Sequence, residues 1–218
     1  MAQLGSRLGH LALALLVGAG GLRPAKAVPT VDLARGGQAR LPVTVGPRAS
    51  DAVKSAAADL AAMLGRLGGT TFQVVSGTAD AGIVVGRPED FDRLPFPLTF
   101  EPGPFAREAY FLHSTERGLY LLGATDLAVT DAVWDLLYRL GYRQFFPGAK
   151  WEVVPPASDL SVAISERRQP AFLARRIWYN WRLGGYNDDP SRQWCTRNRA
   201  GCGSPPDTAR QPPAAATR

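Results

Sequence analysis

Apolar and polar positions alternate over residues 41–46 (LPVTVG), the period of a half-buried strand, and Pro47 closes it. Either Ser50 or Asp51 can cap a following helix. Its apolar stripe is Val53, Ala57, Leu60, Leu64 and Leu67, and Gly68-Gly69 supplies a left-handed stop. Residues 71–75 and 83–85 read as strands. Between 88 and 107, Pro95, Pro97, Pro102 and Pro104 block regular structure, so this stretch reads as a loop. A strand over 108–114 turns at Glu116-Arg117-Gly118, with Gly118 as the residue free to take a positive φ. The return strand, Leu119 to Leu122, is continuously apolar and reads as central and buried. Asp126 then caps a second helix with the stripe Val129, Val133, Leu136, Leu137 and Leu140, ended by Gly141. Phe145-Phe146-Pro147-Gly148 makes a hydrophobic corner read as packing. Trp151–Val154 is a short extended piece, and Leu160–Ile164 a closing strand. Two one-sided helices and several hairpin-like strands predict an α+β fold. The expected form is a two-layer α/β sandwich, a mostly antiparallel sheet with both helices on one face.

The two ends change this picture. Arg7 and His10 precede the apolar run Leu11–Val17, and Ala25-Lys26-Ala27 is a small-x-small site before Val28. Residues 1–27 therefore read as a secretory signal peptide, its apolar run being too short to span a bilayer. The expected location is exported, periplasmic or extracellular, with no membrane attachment after cleavage. From 201 to 218 the text becomes GCGSPPDTARQPPAAATR, without a large apolar residue, and is expected to be disordered. That change of composition reads as a frameshift or premature stop, or as a natural flexible tail. The formal charge of +6 gathers in the two ends rather than in the folded part. No basic cluster is interleaved with aromatics, so a nucleic-acid partner is not expected.

Candidate chemistry is sparse. Gly123–Thr130 (GATDLAVT) opens a helix after a buried strand but lacks the Lys of a phosphate loop, so it reads as an ordinary strand–helix turn. His113, the one His after residue 27, lies on the same side of its strand as Phe111 and reads as structural. No metal site or cofactor is expected. Cys195 and Cys202 fit no zinc spacing, and the sequence favours leaving them unpaired outside the core. Glu108, Glu116, Asp126, Asp131, Asp135 and Glu152 are scattered and read as solvated surface charge, with no catalytic pair among them. The run 177–194 differs. Trp178, Tyr179, Trp181 and Tyr186, with Asn180 and Asn187 between them, combine stacking faces with amide groups and suit a carbohydrate subsite, or equally an interface to a further domain.

Arg117-Gly118, Gly123, the helix with Trp134 and Tyr138, Leu140-Gly141, Phe145-Phe146-Pro147-Gly148 and Trp151-Glu152, followed by Pro170-Ala171-Phe172 and Arg175-Arg176-Ile177-Trp178, carry a resemblance. Over roughly residues 40–200 the chain resembles the N-terminal region of exported bacterial proteins with a DUF4838-type region. It is similar to the small α/β domain that precedes the barrel of α-glucuronidases and β-hexosaminidases. The resemblance implies that residues 28–168 form an accessory domain and that 169–200 begin a (β/α)₈ barrel, which needs about 250 residues. Catalytic carboxylates would lie in that barrel, so none is assigned here. The chain alone is expected to lack turnover. The rival readings are a carbohydrate-binding module using the 178–194 segment, and a truncated fragment without function.

Overall fold

A computed structural model of the chain describes residues 27–172, 174–177 and 188–202. Its elements, in order, are β1 (Val31–Arg35), β2 (Gln38–Ala39), β3 (Val43–Val45), α1 (Asp51–Gly68), β4 (Val74–Ser76), β5 (Gly82–Gly86), β6 (Tyr110–Thr115), β7 (Gly118–Gly123), α2 (Asp126–Arg139), β8 (Arg143–Gln144), β9 (Glu152–Val153), β10 (Leu160–Val162), β11 (Ser165–Arg168), β12 (Arg176–Ile177), α3 (Asp188–Arg197) and β13 (Gly201–Cys202). Of residues 1–27, read from the sequence as a signal peptide, all but residue 27 lie outside the described residues, as does the tail from residue 203. Residues 201–202, assigned to the tail on composition, are strand.

The expected two-layer α/β sandwich is present. Its main sheet has the order β11-β6-β7-β5-β3-β4. Antiparallel pairings are five of the nine among the described residues. The centre of the main sheet is parallel, however, through β3/β4, β3/β5 and β5/β7. The reason is connectivity: α1 carries the chain from β3 to β4 as a crossover, which only a parallel pair requires.

Alternation along the buried strands divides the core in two. Ile83, Val85, Leu119 and Leu121 face the helices and meet Leu60, Leu64, Val133 and Leu137. Val84, Tyr120 and Leu122 face the other way, where Phe91 and the proline-rich loop, through Phe96, cover them. Phe96 sets its edge on Tyr120 at 4.9 Å, and the Tyr120 hydroxyl donates to the Ala79 carbonyl at 3.0 Å. The loop thus supplies the second cover of the sheet.

The caps follow local chemistry, with two changes from expectation. Ser50 caps α1 and Gly69 stops it at φ 63, as the sequence predicts. Thr125, not Asp126, caps α2, its hydroxyl accepting from Ala128 N at 3.2 Å. Gly118 does not take a positive φ. It is glycine because β5 and β7 pair Gly82 with Gly118, and a Cβ there would lie 2.2 Å from the Gly82 carbonyl oxygen.

Ligands of open α/β sheets bind beyond the carboxyl ends of parallel strands. Here the part of that crevice above β3 and β5 is filled. Asp90 is fully buried at the ends of β3 and β5 and accepts from Arg87 N and Nη2, each at 2.8 Å. A Cβ at Gly46 would meet the Asp90 carbonyl oxygen at 2.2 Å.

Candidate functional site

The C-terminal residues fold back over α2 and the β8 strand. Trp194 Nε1 donates to the Gln144 carbonyl at 3.0 Å, and Asn198 Nδ2 donates to the same oxygen at 3.2 Å. The Tyr138 hydroxyl donates to Asn198 Oδ1. The Arg197 guanidinium lies 5.1 Å from the Trp134 ring centroid, in cation–π range. Trp134 and Tyr138 both pack on Tyr142, at 5.4 and 6.0 Å.

Of the carboxylates read from the sequence as surface charge, three are buried in this seam and a fourth, Glu152, is largely covered. Glu108 is 5% exposed, Asp131 2% and Asp135 8%, and the Glu152 side chain 9%. Buried charges persist only when paired, and for Glu108, Asp135 and Glu152 arginines remote in sequence do so. Glu152 accepts from Arg66 Nη2 at 2.7 Å, Arg197 Nη1 at 2.8 Å and the Tyr142 hydroxyl at 3.1 Å. Burial works to raise its pKa, but these three donors outweigh burial and hold it below the ordinary carboxylate range. Arg175 pairs with Glu108. Asp135 accepts from Arg139 Nε at 3.1 Å and Arg199 Nη1 at 2.6 Å. Arg199 sits at φ 53, the one non-glycine positive φ among the described residues. Arg175 Nε donates to its carbonyl at 2.9 Å.

Between α2, β6 and this segment lies a cleft of about 320 Å³. Its walls carry three carboxylates, Glu108, Asp131 and Asp135, and three guanidiniums, Arg168, Arg175 and Arg199. Tyr110 stands among them, its hydroxyl 3.1 Å from Arg199 Nη1. Burial, helped by the Asp135 charge and opposed by Arg199, pushes its phenol up to about 12. Burial likewise raises Tyr142. A folded pKa above the unfolded value near 10 gives stability that is full below pH 10 and is lost as pH rises toward 12. Tyr110 alone accounts for about 2–3 kcal/mol across that window. Urea midpoints measured from pH 9 to 11.5 should therefore fall, and Tyr110→Phe should flatten the fall. An equal fall in the variant refutes the assignment.

A second surface adjoins the seam. Phe145, Phe146 and Trp151 are 67%, 55% and 53% exposed, so the corner is a presented face rather than internal packing. Phe146 meets Trp151 edge-on at 5.8 Å and Trp194 at 6.4 Å. The sequence-predicted carbohydrate residues Trp178, Tyr179, Asn180, Trp181, Tyr186 and Asn187 lie outside the described residues. His113 is remote from the seam. It stacks on Phe111 at 5.0 Å, and burial lowers its pKa. Cys195, expected unpaired and outside the core, is buried and disulfide-bonded; Cys202 is the only other cysteine in the chain. α3 stands in sequence between β12 and β13, which pair in parallel, Arg176 with Gly201 and Ile177 with Cys202.

No protein-family model matches the chain. No curated protein matches it. Among solved structures it is similar to a family GH115 4-O-methyl-alpha-glucuronidase with specificity for decorated arabinogalactans, at TM-score 0.58 and 14% identity, over 79% of this chain and 25% of that one. It also aligns with a GH20 beta-N-acetylhexosaminidase from Streptomyces coelicolor A3(2), at TM-score 0.44 and 18% identity over 72% and 26%. A third is the N-acetyl-beta-hexosaminidase of Streptomyces plicatus, at TM-score 0.45 and 19% identity over 71% and 27%. The chain spans about a quarter of the length of each. What it shares with the glucuronidase is the fold of one part of a glycoside hydrolase.

Proposed function

We propose that this chain is a non-catalytic N-terminal accessory domain of an exported, carbohydrate-active protein of the glycoside-hydrolase type, of the kind that carries a DUF4838-type region. In this reading, residues 169–200 begin the (β/α)₈ barrel of such proteins. The observation that carries it is the β12–α3–β13 arrangement. A parallel strand pair with a helix between is the repeating unit of that barrel. Here it is seated on the α/β sandwich through Arg197 to Glu152 and Arg199 to Asp135. The fold likeness to part of a glucuronidase supports the same reading. In the seam, Glu108, Asp135 and Glu152 are each bound to a guanidinium, as suits a joint between two units.

The purified chain, incubated with aryl α-glucuronides and aryl β-N-acetylhexosaminides, should show no turnover above a heat-denatured sample. Sustained turnover would overturn the reading. The exposed Phe145, Phe146 and Trp151 rings favour carbohydrate binding as a second reading. Quenching or enhancement of Trp fluorescence by a soluble oligosaccharide would support it, and an unchanged spectrum across a broad glycan panel would count against it.

A further inference from the structure

We propose that the Cys195 disulfide is an oxidation-dependent clasp, which seats residues 188–202 on a sandwich that folds without it. This inference stands apart from the accessory-domain reading, because it rests only on how that segment is held. Among the described residues, neither apolar core includes any residue beyond Ile164. Past that point Cys195 is the one buried apolar side chain among them. Polar groups do the rest. Arg197 meets Glu152 at 2.8 Å, and Arg199 meets Asp135 at 2.6 Å and the Tyr110 hydroxyl at 3.1 Å. Trp194 and Asn198 donate to the Gln144 carbonyl. Ion pairs taken out of water return little beyond their desolvation cost. Such contacts alone give the segment a weak hold on the sandwich.

The turn that carries these groups also works against the hold. Ala200 N donates to the Cys195 carbonyl at 2.9 Å and Arg199 N to the Thr196 carbonyl at 3.1 Å, with Arg199 left-handed at φ 53. These are the two bonds and the left-handed residue of a Schellman helix end, a place usually filled by glycine. An arginine there costs backbone free energy. Its guanidinium serves Asp135, and its carbonyl accepts from Arg175 Nε at 2.9 Å, while Arg175 pairs with Glu108. Arg197 and Arg199 both lie inside the ring that the bond closes, from Cys195 to Cys202, the only other cysteine. A covalent link from one side of the turn to the other removes open conformations from the competing ensemble and offsets that cost. One bond thereby supports the pairs at Glu152, Asp135 and Glu108 together, and it reaches β12, which pairs with β13. To form it, two thiols give up two protons and two electrons to a disulfide oxidant such as oxidised glutathione, which becomes two thiols. That exchange belongs to an oxidising compartment. In reducing surroundings the bond is absent and the segment leaves the sandwich.

The test is amide hydrogen exchange, read by mass spectrometry on the whole chain. The oxidised chain is compared with the same chain folded and held in dithiothreitol, and with Cys202→Ser, which removes the bond but keeps the buried Cys195. Without the bond, peptides from residues 188–202 should exchange roughly tenfold faster or more, while α1 and β7 keep the protection of the oxidised chain. Oxidised glutathione, added once the dithiothreitol is removed, should restore protection in the reduced parent and leave Cys202→Ser unchanged. The proposal is overturned if residues 188–202 are equally protected without the bond, or if α1 and β7 lose protection along with them. It is also overturned if oxidised glutathione restores no protection to the reduced parent.

Discussion

Glu152→Ala is expected to lower the stability of the chain by about 2–3 kcal/mol, the upper range for removing a charged hydrogen-bond acceptor from a partly buried site. The loss is not one bond. Arg66, Arg197 and Tyr142 all donate to this carboxylate, and Arg197 and Tyr142 lie in the interior of the seam. Without Glu152, a guanidinium only 15% exposed keeps its desolvation cost but loses its counter-charge. Chemical denaturation at pH 7 measures the effect. The pH dependence is a second check. The pKa of Glu152 is depressed in the folded state, so its contribution is full above the unfolded value near 4.3 and is lost as pH falls through the lower folded value. The gap between parent and variant should therefore close in acid. A variant within about 1 kcal/mol of the parent at pH 7 would show that the hub is dispensable.

The second large effect is expected at Gly123. A Cβ there would lie 2.4 Å from Val129 N and 2.7 Å from the Ala128 carbonyl carbon, both backbone atoms of α2. No rotamer change can relieve that clash, so the helix itself must move off the sheet. Gly123→Ala should cost about 3 kcal/mol or more, the upper end for overpacking. Ala124→Gly next to it serves as a control for loop flexibility. If Gly123→Ala unfolds at the parent's denaturant midpoint, the close approach of β7 and α2 is not what selects glycine.

Much of the sandwich was legible because its signals are local. The α1 stripe, the Ser50 cap and the Gly69 stop lie within one turn or one helix of each other. The continuous apolar run of β7 announced a strand buried on both faces. β1 was not read, since VDLAR is short and its alternation breaks at Ala34 before the charged Arg35. α3 escaped because DDPSRQWCTR offers only Trp194 and Cys195 as apolar positions, too few to set a period. The buried carboxylates were misread for a different reason. Apart from Arg139, one turn from Asp135, the arginine partners found stand 45 to 86 residues away, and charge pairing at that distance leaves no pattern in a window. One clue was present. α2 carries Val129, Val133, Trp134, Leu136, Leu137 and Tyr138, apolar groups spread over most of its circumference. A helix so covered has little solvent face left, and its Asp131 and Asp135, one turn apart, had to be buried, Asp135 against Arg139 and Arg199.

The two margins of the main sheet are unlike. β11 ends one side with Glu166, Arg167 and Arg168, charges that disfavour a further strand. β4 ends the other with Val74 and Val75 exposed, and among the described residues no strand pairs along its outer side. A β-branched, uncharged margin with free backbone groups is a template for intermolecular pairing. Self-association at high concentration should begin at β4, and a lysine at Val75 is the simplest way to keep copies of this chain apart.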